Sequence, residues 1–287
     1  MKIQQITIIG TGLIGGSLAR AIRVKGFHGR IVGCDEAAIL ARARKYKVID
    51  AGDTSPQEAV LGSQVVVLAT PVGSIIDLVR RLGGSLPAGC LLTDVGSTKL
   101  EIMKAAAGVM GKDAPERFLG THPMAGREQG GLANVDPNLF RDAAWFVTPF
   151  KKQNIDQGIC AEWLGWIETI GARIARIDPE QHDRLCAWIS HVPQMISTAL
   201  AAALVEEFGD ELPLLEAGGR ALREMTRISA SPYSMWRDIA LTNKKNLGDA
   251  LLQIEQKIAH IRENLDTVQL KAEFEQAHHL KKVGNSE

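Results

Sequence analysis

Near the N-terminus, Gly10-Thr11-Gly12-Leu13-Ile14-Gly15 sets three glycines at GxGxxG spacing behind an apolar run of Ile3, Ile6, Ile8 and Ile9. Three glycines in register mean little by themselves, and the surroundings make them constraining. A helical pattern of Leu18, Ala19 and Ile22 follows, and Asp35 closes a second short strand, residues 31–34, twenty residues past Gly15. Gly10 then permits a tight turn, Gly12 lets backbone approach a pyrophosphate, and Gly15 lets the helix pack on the strand. The helix N-terminus offers unpaired N–H groups and a positive dipole to phosphates. The spacing predicts a βαβ unit that binds a dinucleotide, with Gly10, Gly12, Leu13, Ile14, Gly15 and Asp35 as cofactor contacts.

Strand and helix patterns keep alternating behind this unit. Apolar runs at 65–69, 91–95, 118–121, 144–147 and 173–177 read as strands, with helical patterns at 75–82, 100–109 and 155–170 between them. Several runs are continuously apolar, as expected when helices cover both faces of a parallel sheet. From Pro179 onward every pattern is helical: one helix to about 204, in which Pro193 should produce a kink, a second over 214–228, and a third from about 233 beyond 265. The expected fold is α/β, an N-terminal Rossmann-like doubly wound sheet (1–178) followed by an all-α C-terminal domain (179–287). Leu247, Leu251, Ile254, Ile258, Ile261 and Leu265 alternate at four and three residues. That seam suits packing within the chain or between copies, and its regularity favours a homodimer built from C-terminal helices.

Composition excludes several classes of function. The 287 residues carry 33 basic and 33 acidic side chains, a formal net charge of zero, which gives no basic excess for nucleic acid or a membrane surface. Cys34, Cys90, Cys160 and Cys186 form no CxxC pair, which argues against a zinc site and a disulfide framework and fits a reducing compartment, and no metal is expected. With no basic leader and no apolar run read as long enough for a bilayer, a cytoplasmic location is expected.

Ligands of doubly wound sheets collect at the carboxyl ends of the strands. Those ends here are Thr70-Pro71-Val72, residues 94–99 (DVGSTK) and residues 120–126 (GTHPMAG), so Thr70 and Pro71 join the expected cofactor contacts. A strand-end histidine serves structure as readily as catalysis, and Ser97 on the neighbouring strand end tips His122 toward proton transfer. In the helical part, Arg184 and His191 are seven apart and should nearly share a face. Arg223, Glu224 and Arg227 fall within one turn near a Ser-Pro break, where an arginine could clamp a carboxylate. His182, His260 and His278 have no such context and read as structural.

Four segments in order, DVGSTK (94–99), GTHPMAGREQGG (120–131), HDRLCAWISHVPQ (182–194) and TRISASPYSMWRDI (226–239), resemble the successive motifs of the prephenate and arogenate dehydrogenases of tyrosine biosynthesis. The similarity runs from Ile3 to about Leu265. It implies NAD as cofactor, His122 as acceptor of the substrate hydroxyl proton, and Ser97 hydrogen-bonding near that hydroxyl and the nicotinamide. It also implies Arg227 on a substrate carboxylate with His191 beside it, Glu128 at the pocket mouth, Trp236 supporting the pocket, and a homodimer. Glu224 would orient Arg227. Many relatives add an ACT-type domain or a chorismate mutase; neither is expected here, so tyrosine should act only by competing at the active site.

The implied reaction is oxidative decarboxylation of prephenate to 4-hydroxyphenylpyruvate, with arogenate as the alternative substrate. Arg127 beside Glu128 would leave little net negative potential for the arogenate ammonium, which favours prephenate. Two rivals differ in kind. A β-hydroxyacid dehydrogenase would rely on a lysine such as Lys244 or Lys245 and leave the His122 segment unexplained. An NAD-sensing binding module with a decayed active site would not be expected to retain Ser97, His122, His191 and Arg227 together.

Overall fold

A computed structural model of the chain describes residues 3–127, 130–209, 211 and 217–284. Eight strands form one sheet: β1 Gln5–Ile9, β2 Arg30–Cys34, β3 Ala51–Asp53, β4 Val65–Leu68, β5 Leu91–Asp94, β6 Phe118–Pro123, β7 Ala144–Thr148 and β8 Arg173–Arg176. Their spatial order is β3-β2-β1-β4-β5-β6-β7-β8. Interleaved helices are α1 Leu13–Val24, α2 Ala37–Lys45, α3 Pro56–Ala59, α4 Val72–Leu82, α5 Leu100–Met110, α6 Ala114–Arg117 and α7 Gly158–Thr169. Side-chain alternation divides the core in two. Ile6, Ile8, Val65 and Val67 face α1 and α7 through Leu18, Ile22, Trp163 and Ile167. The intervening Ile9, Val66 and Leu68 face α4 and α5 through Ile75, Leu82, Ile102 and Met103.

The chain winds outward from β1 to β3, then crosses to β4 on the other side of β1, so the strand order reverses between β1 and β4. Two features depart from the sequence reading. The three-residue β3 has no apolar run to announce it. In addition, β7 pairs antiparallel to β6 while β8 runs parallel to β7. The β6–β7 connection holds no α-helix among its described residues, only the turn Leu132–Asn134, so nothing carries the chain across a face for a parallel return.

Beyond β8 the described residues hold only helices: α8 Pro179–Cys186, α9 Val192–Phe208, α10 Arg220–Thr226, α11 Tyr233–Thr242, α12 Lys244–Glu263 and α13 Val268–Gly284. Asp178 caps α8, accepting from the Glu180 and Gln181 amides, with Pro179 in the first turn. No break occurs at Pro193; a π-helical turn, Ala187–His191, lies just before it. The wider turn absorbs the missing proline N–H, so α8 and α9 run on as 30 helical residues, 179–208. This helix is long and apolar enough, at mean hydropathy 1.3, to cross a membrane by length and composition alone, contrary to the sequence reading. It carries the buried polar side chains His182, Asp183, His191 and Gln194.

The third expected helix breaks at Asn243 and again at Asn264. The second begins at Arg220, and part of its expected span, 212–216, lies outside the described residues. Along the seam, Leu247 is buried with Val192 and Ala250, and Leu251 and Ile254 pack beside them. Ile258 stays 58% exposed, and Leu265, 65% exposed, lies past the end of α12.

Candidate active site

The glycine turn behaves as its spacing predicts. Gly10 has φ 95°, and a Cβ there would sit 2.4 Å from the Ala69 carbonyl oxygen. A Cβ on Gly15 would sit 2.0 Å from the Gly10 carbonyl oxygen and 2.8 Å from Ile8. At Gly12 nothing lies within 4 Å, so the fold leaves open the backbone surface a pyrophosphate would approach, at the N-terminus of α1 with Leu13 and Ile14 in its first turn. Asp35 is held by the Thr11 amide (2.7 Å) and hydroxyl (3.0 Å). A cleft of about 310 Å³ over the ends of β1, β2 and β4 is lined by Gly10, Asp35, Thr70, Ser74 and Arg81 among others. The Thr70 hydroxyl is buried there with no protein partner among the described residues, and Pro71 precedes α4. The cleft lies at the reversal of strand order, where such sheets bind their ligands.

Two strands away from β4, the penultimate residue of β6 is His122, which is 8% exposed. The buried Lys99 ammonium bonds the Asp94 carboxylate and the Thr121 carbonyl (2.7 Å), while Asp94 Oδ1 accepts from the Thr121 amide (3.2 Å). Burial pushes Asp94 up and Lys99 down, and each is opposed by the other's charge. This pair anchors the residue before His122. Its ring is held from the helical side, with Nδ1 2.9 Å from His182 Nε2 and His182 Nδ1 2.8 Å from Asp183 Oδ1. Asp183 in turn accepts from the Lys99 (2.7 Å) and Leu100 (3.0 Å) amides at the N-terminus of α5. Burial, reinforced by His182, Lys99 and His191, pushes His122 well below the usual imidazole range, so the ring is neutral at pH 7.

The second histidine has a complementary arrangement. His191 closes the π turn, 1% exposed, with its ring edge-on to Trp236 at 5.8 Å. Its Nδ1 is 3.2 Å from Asn243 Nδ2, which also donates to the Asp183 carbonyl (2.7 Å), while Asn243 Oδ1 accepts from Asn246. These bonds orient the amide so that His191 Nδ1 accepts and its proton sits on Nε2. That Nε2–H is buried and has no protein partner among the described residues, as does Trp236 Nε1. Burial is the main reason that His191 is held down to about 4. Among the described residues the site therefore holds two buried neutral imidazoles, one of which, His191, keeps an N–H without a protein partner.

Other expectations resolve unevenly. Ser97 lies half-buried in the β5–α5 loop, beside the His122 strand but without a hydrogen bond to it among the described residues. Arg227 opens the turn Arg227–Ala230, which docks on α9 through Gln194 Nε2 to the Ile228 carbonyl (2.9 Å). Glu224, expected to orient Arg227, binds the Arg220 guanidinium (2.6 Å). Glu128 lies outside the described residues. Arg127, expected to pair with Glu128, is salt-bridged to Asp136. Arg184 and His191 do not share a face: Arg184 is exposed and His191 buried, because the π turn adds a residue between them and offsets the register by about 100°. His182, read as structural, touches His122. The signal available was its place at the head of the 182–194 motif, four residues before Cys186.

The chain matches two family models along nearly its whole length. Residues 18–176 match the prephenate dehydrogenase nucleotide-binding domain and residues 178–281 the prephenate dehydrogenase dimerization domain. Prephenate dehydrogenase of Bacillus subtilis (strain 168) is 35% identical over 269 residues, 90% of this chain and 69% of that protein. Among solved structures, prephenate dehydrogenase from A. aeolicus in complex with hydroxyphenyl propionate and NAD+ superposes with a TM-score of 0.84 at 30% identity, covering 99% of this chain and 97% of that one. Synechocystis arogenate dehydrogenase superposes at 0.74 with 26% identity, covering 98% and 97%. By these matches and by the eight-stranded fold with its helical second half, the chain belongs to the prephenate dehydrogenase family.

Proposed function

We propose that the chain is an NAD-dependent prephenate dehydrogenase, converting prephenate to 4-hydroxyphenylpyruvate and carbon dioxide. The observation that carries this reading is His122, a neutral buried imidazole at a sheet end, two strands from a crevice lined by the glycine turn and Asp35. Gly10, Gly12, Leu13, Ile14 and Gly15 would hold the pyrophosphate, Asp35 the adenosine ribose, and Thr70 and Pro71 the wall between crevice and site. Asp35 favours NAD because a carboxylate repels a 2′-phosphate. The chemistry the cofactor supplies is acceptance of hydride from the carbon bearing the substrate hydroxyl.

The protein's own part is positioning and proton removal. His122 takes the hydroxyl proton as the carbonyl forms, with Ser97 steadying the same oxygen. Arg227 and the His191 Nε2–H hold carboxylate oxygens, Trp236 backs His191, and Glu128 stands at the pocket mouth. The new carbonyl draws electrons from the breaking carbon–carboxylate bond, aromatisation drives loss of carbon dioxide, and the phenolate oxygen takes its proton back from His122. We assign residues 1–178 to cofactor binding and 179–287 to substrate binding and dimerization, and the enzyme to the cytoplasm. A homodimer is supported by the dimerization-domain match and by exposed apolar groups on the helices, including Val205, Leu241 and Ile258.

Arogenate is the second reading, favoured by the likeness to the Synechocystis enzyme. Arg127 is salt-bridged to Asp136, which leaves less of its charge for the pocket mouth and weakens the electrostatic case for prephenate. NADH formation followed by absorbance with each substrate decides the matter. Higher kcat/KM for prephenate is expected; a clear preference for arogenate would reassign the substrate, and turnover of neither would refute the function.

A further inference from the structure

The hydrogen bonds that join Asp183, His182 and His122 have only one consistent placement of protons. Asp183 accepts two backbone amides, so the proton in its 2.8 Å bond to His182 belongs to His182 Nδ1. His182 is fully buried and burial lowers its proton affinity more than the carboxylate raises it, so the ring is neutral and its Nε2 carries a lone pair. The 2.9 Å approach of that lone pair to His122 Nδ1 requires a proton between them. Only His122 Nδ1 can supply it. Neutral His122 must then keep its lone pair on Nε2.

We propose that Asp183 and His182 are positioning residues that lock His122 in its Nδ1–H tautomer and make Nε2 the proton-accepting atom. The inference rests on the dehydrogenase reading for its consequence in catalysis; the tautomer itself rests on the hydrogen-bond geometry and on the burial that keeps His182 neutral. It also gives Asp183 two tasks in one carboxylate. Its bonds to the α5 amides set where the helical part meets the sheet, and its bond to His182 sets the protonation pattern of the base. A base assembled in this way is correct only when the two parts are docked.

A metal centre is the competing use of these side chains. Cys186 Sγ lies 3.4 Å from His182 Nε2 and 3.9 Å from His122 Nδ1, and the three donor atoms fall within 4.8 Å of one another. The surroundings oppose it. Burial pushes the Cys186 thiol up to about 12, keeping it protonated and a weak donor to His182, and the Lys99 ammonium lies close enough to bear on the same group. The two imidazoles also already satisfy one another.

The test is the tautomer itself, read from long-range proton–nitrogen correlations of the full-length protein labelled with 15N-histidine. Wild type should show His122 as Nδ1–H. In His182→Leu, which removes the acceptor, His122 should shift toward Nε2–H, and kcat should fall roughly 10- to 100-fold with KM within about twofold. In His182→Gln the side-chain carbonyl can accept the same bond, so both the tautomer and most of kcat should return. NAD affinity, independent of this chain of bonds, is the control for folding; should His182→Leu fail it, the wild-type spectrum and His182→Gln carry the test. An Nε2–H tautomer in wild type, unchanged kcat in folded His182→Leu, or one tightly held zinc per chain lost with His182 would each overturn the proposal. Absence of turnover in wild type on prephenate and arogenate would refute the function instead, and the spectrum would still judge the tautomer.

Discussion

His191 gives the site a measurable pH dependence of stability. Its ring is 1% exposed, and burial outweighs the nearby Asp183 carboxylate, which favours the proton, while His182 opposes it. The unfolded chain binds the proton near the ordinary 6.5 and the fold only near about 4. Below pH 6.5 the unfolded state therefore holds more protons, and stability falls as pH falls through this window. At roughly 1.4 kcal/mol per unit, the loss traceable to His191 is about 2–3 kcal/mol by pH 4.5. His191→Gln keeps an acceptor for Asn243 and cannot take the charge. Urea unfolding of wild type and variant, at fixed protein concentration because of the expected dimer, should give curves that converge, or cross, between pH 7.5 and 4.5. His122 and His182 steepen both curves and largely cancel in the difference. A stability gap constant across that range would refute the placement of His191 as a buried neutral ring.

Three further outcomes follow from geometry. His122→Asn should lower kcat roughly 10²- to 10⁴-fold with little change in KM, measured by NADH formation. Gly12→Ala should leave the melting temperature near wild type, since its methyl meets nothing within 4 Å, yet weaken NAD binding by titration; Gly15→Ala, with its methyl 2.0 Å from the Gly10 carbonyl oxygen, should lower the melting temperature itself. Ile258→Lys with Leu265→Lys, both at exposed positions, should yield folded monomers by light scattering, and an unchanged mass would remove these residues from the interface.

The legible parts of the chain were those whose geometry is local. The glycine turn encodes its own backbone conformation, and Gly10, Gly15 and Asp35 stand as the spacing requires. The place of His122 near a strand end is legible because the apolar run before it marks the strand. The hydrogen-bond chain behind it was not, since His182 is 60 residues away and reaches His122 only when α8 docks on the sheet. Arg184 and Glu224 failed for a related reason. Helical spacing gave each a neighbour, but a π turn displaced one pairing and Arg220, one turn upstream, took the other. Period and propensity carry no trace of a one-residue change in helical register.

That extra residue ties the aim of the second histidine to the packing of a whole helix. Removing Ile189, which is 49% exposed, would delete no core side chain, yet the shortened helix would set Pro193 against the carbonyl one turn before it. Every side chain from Ser190 onward would also rotate about 100° relative to α8, carrying His191 away from Trp236 and Asn243, and Val192 away from Leu247 and Ala250. The shortened chain should melt lower and turn over no substrate. A surface position that looks dispensable by exposure is thus a phase setting for everything behind it, and paired measurements of melting temperature and activity on the deletion would show both lost together.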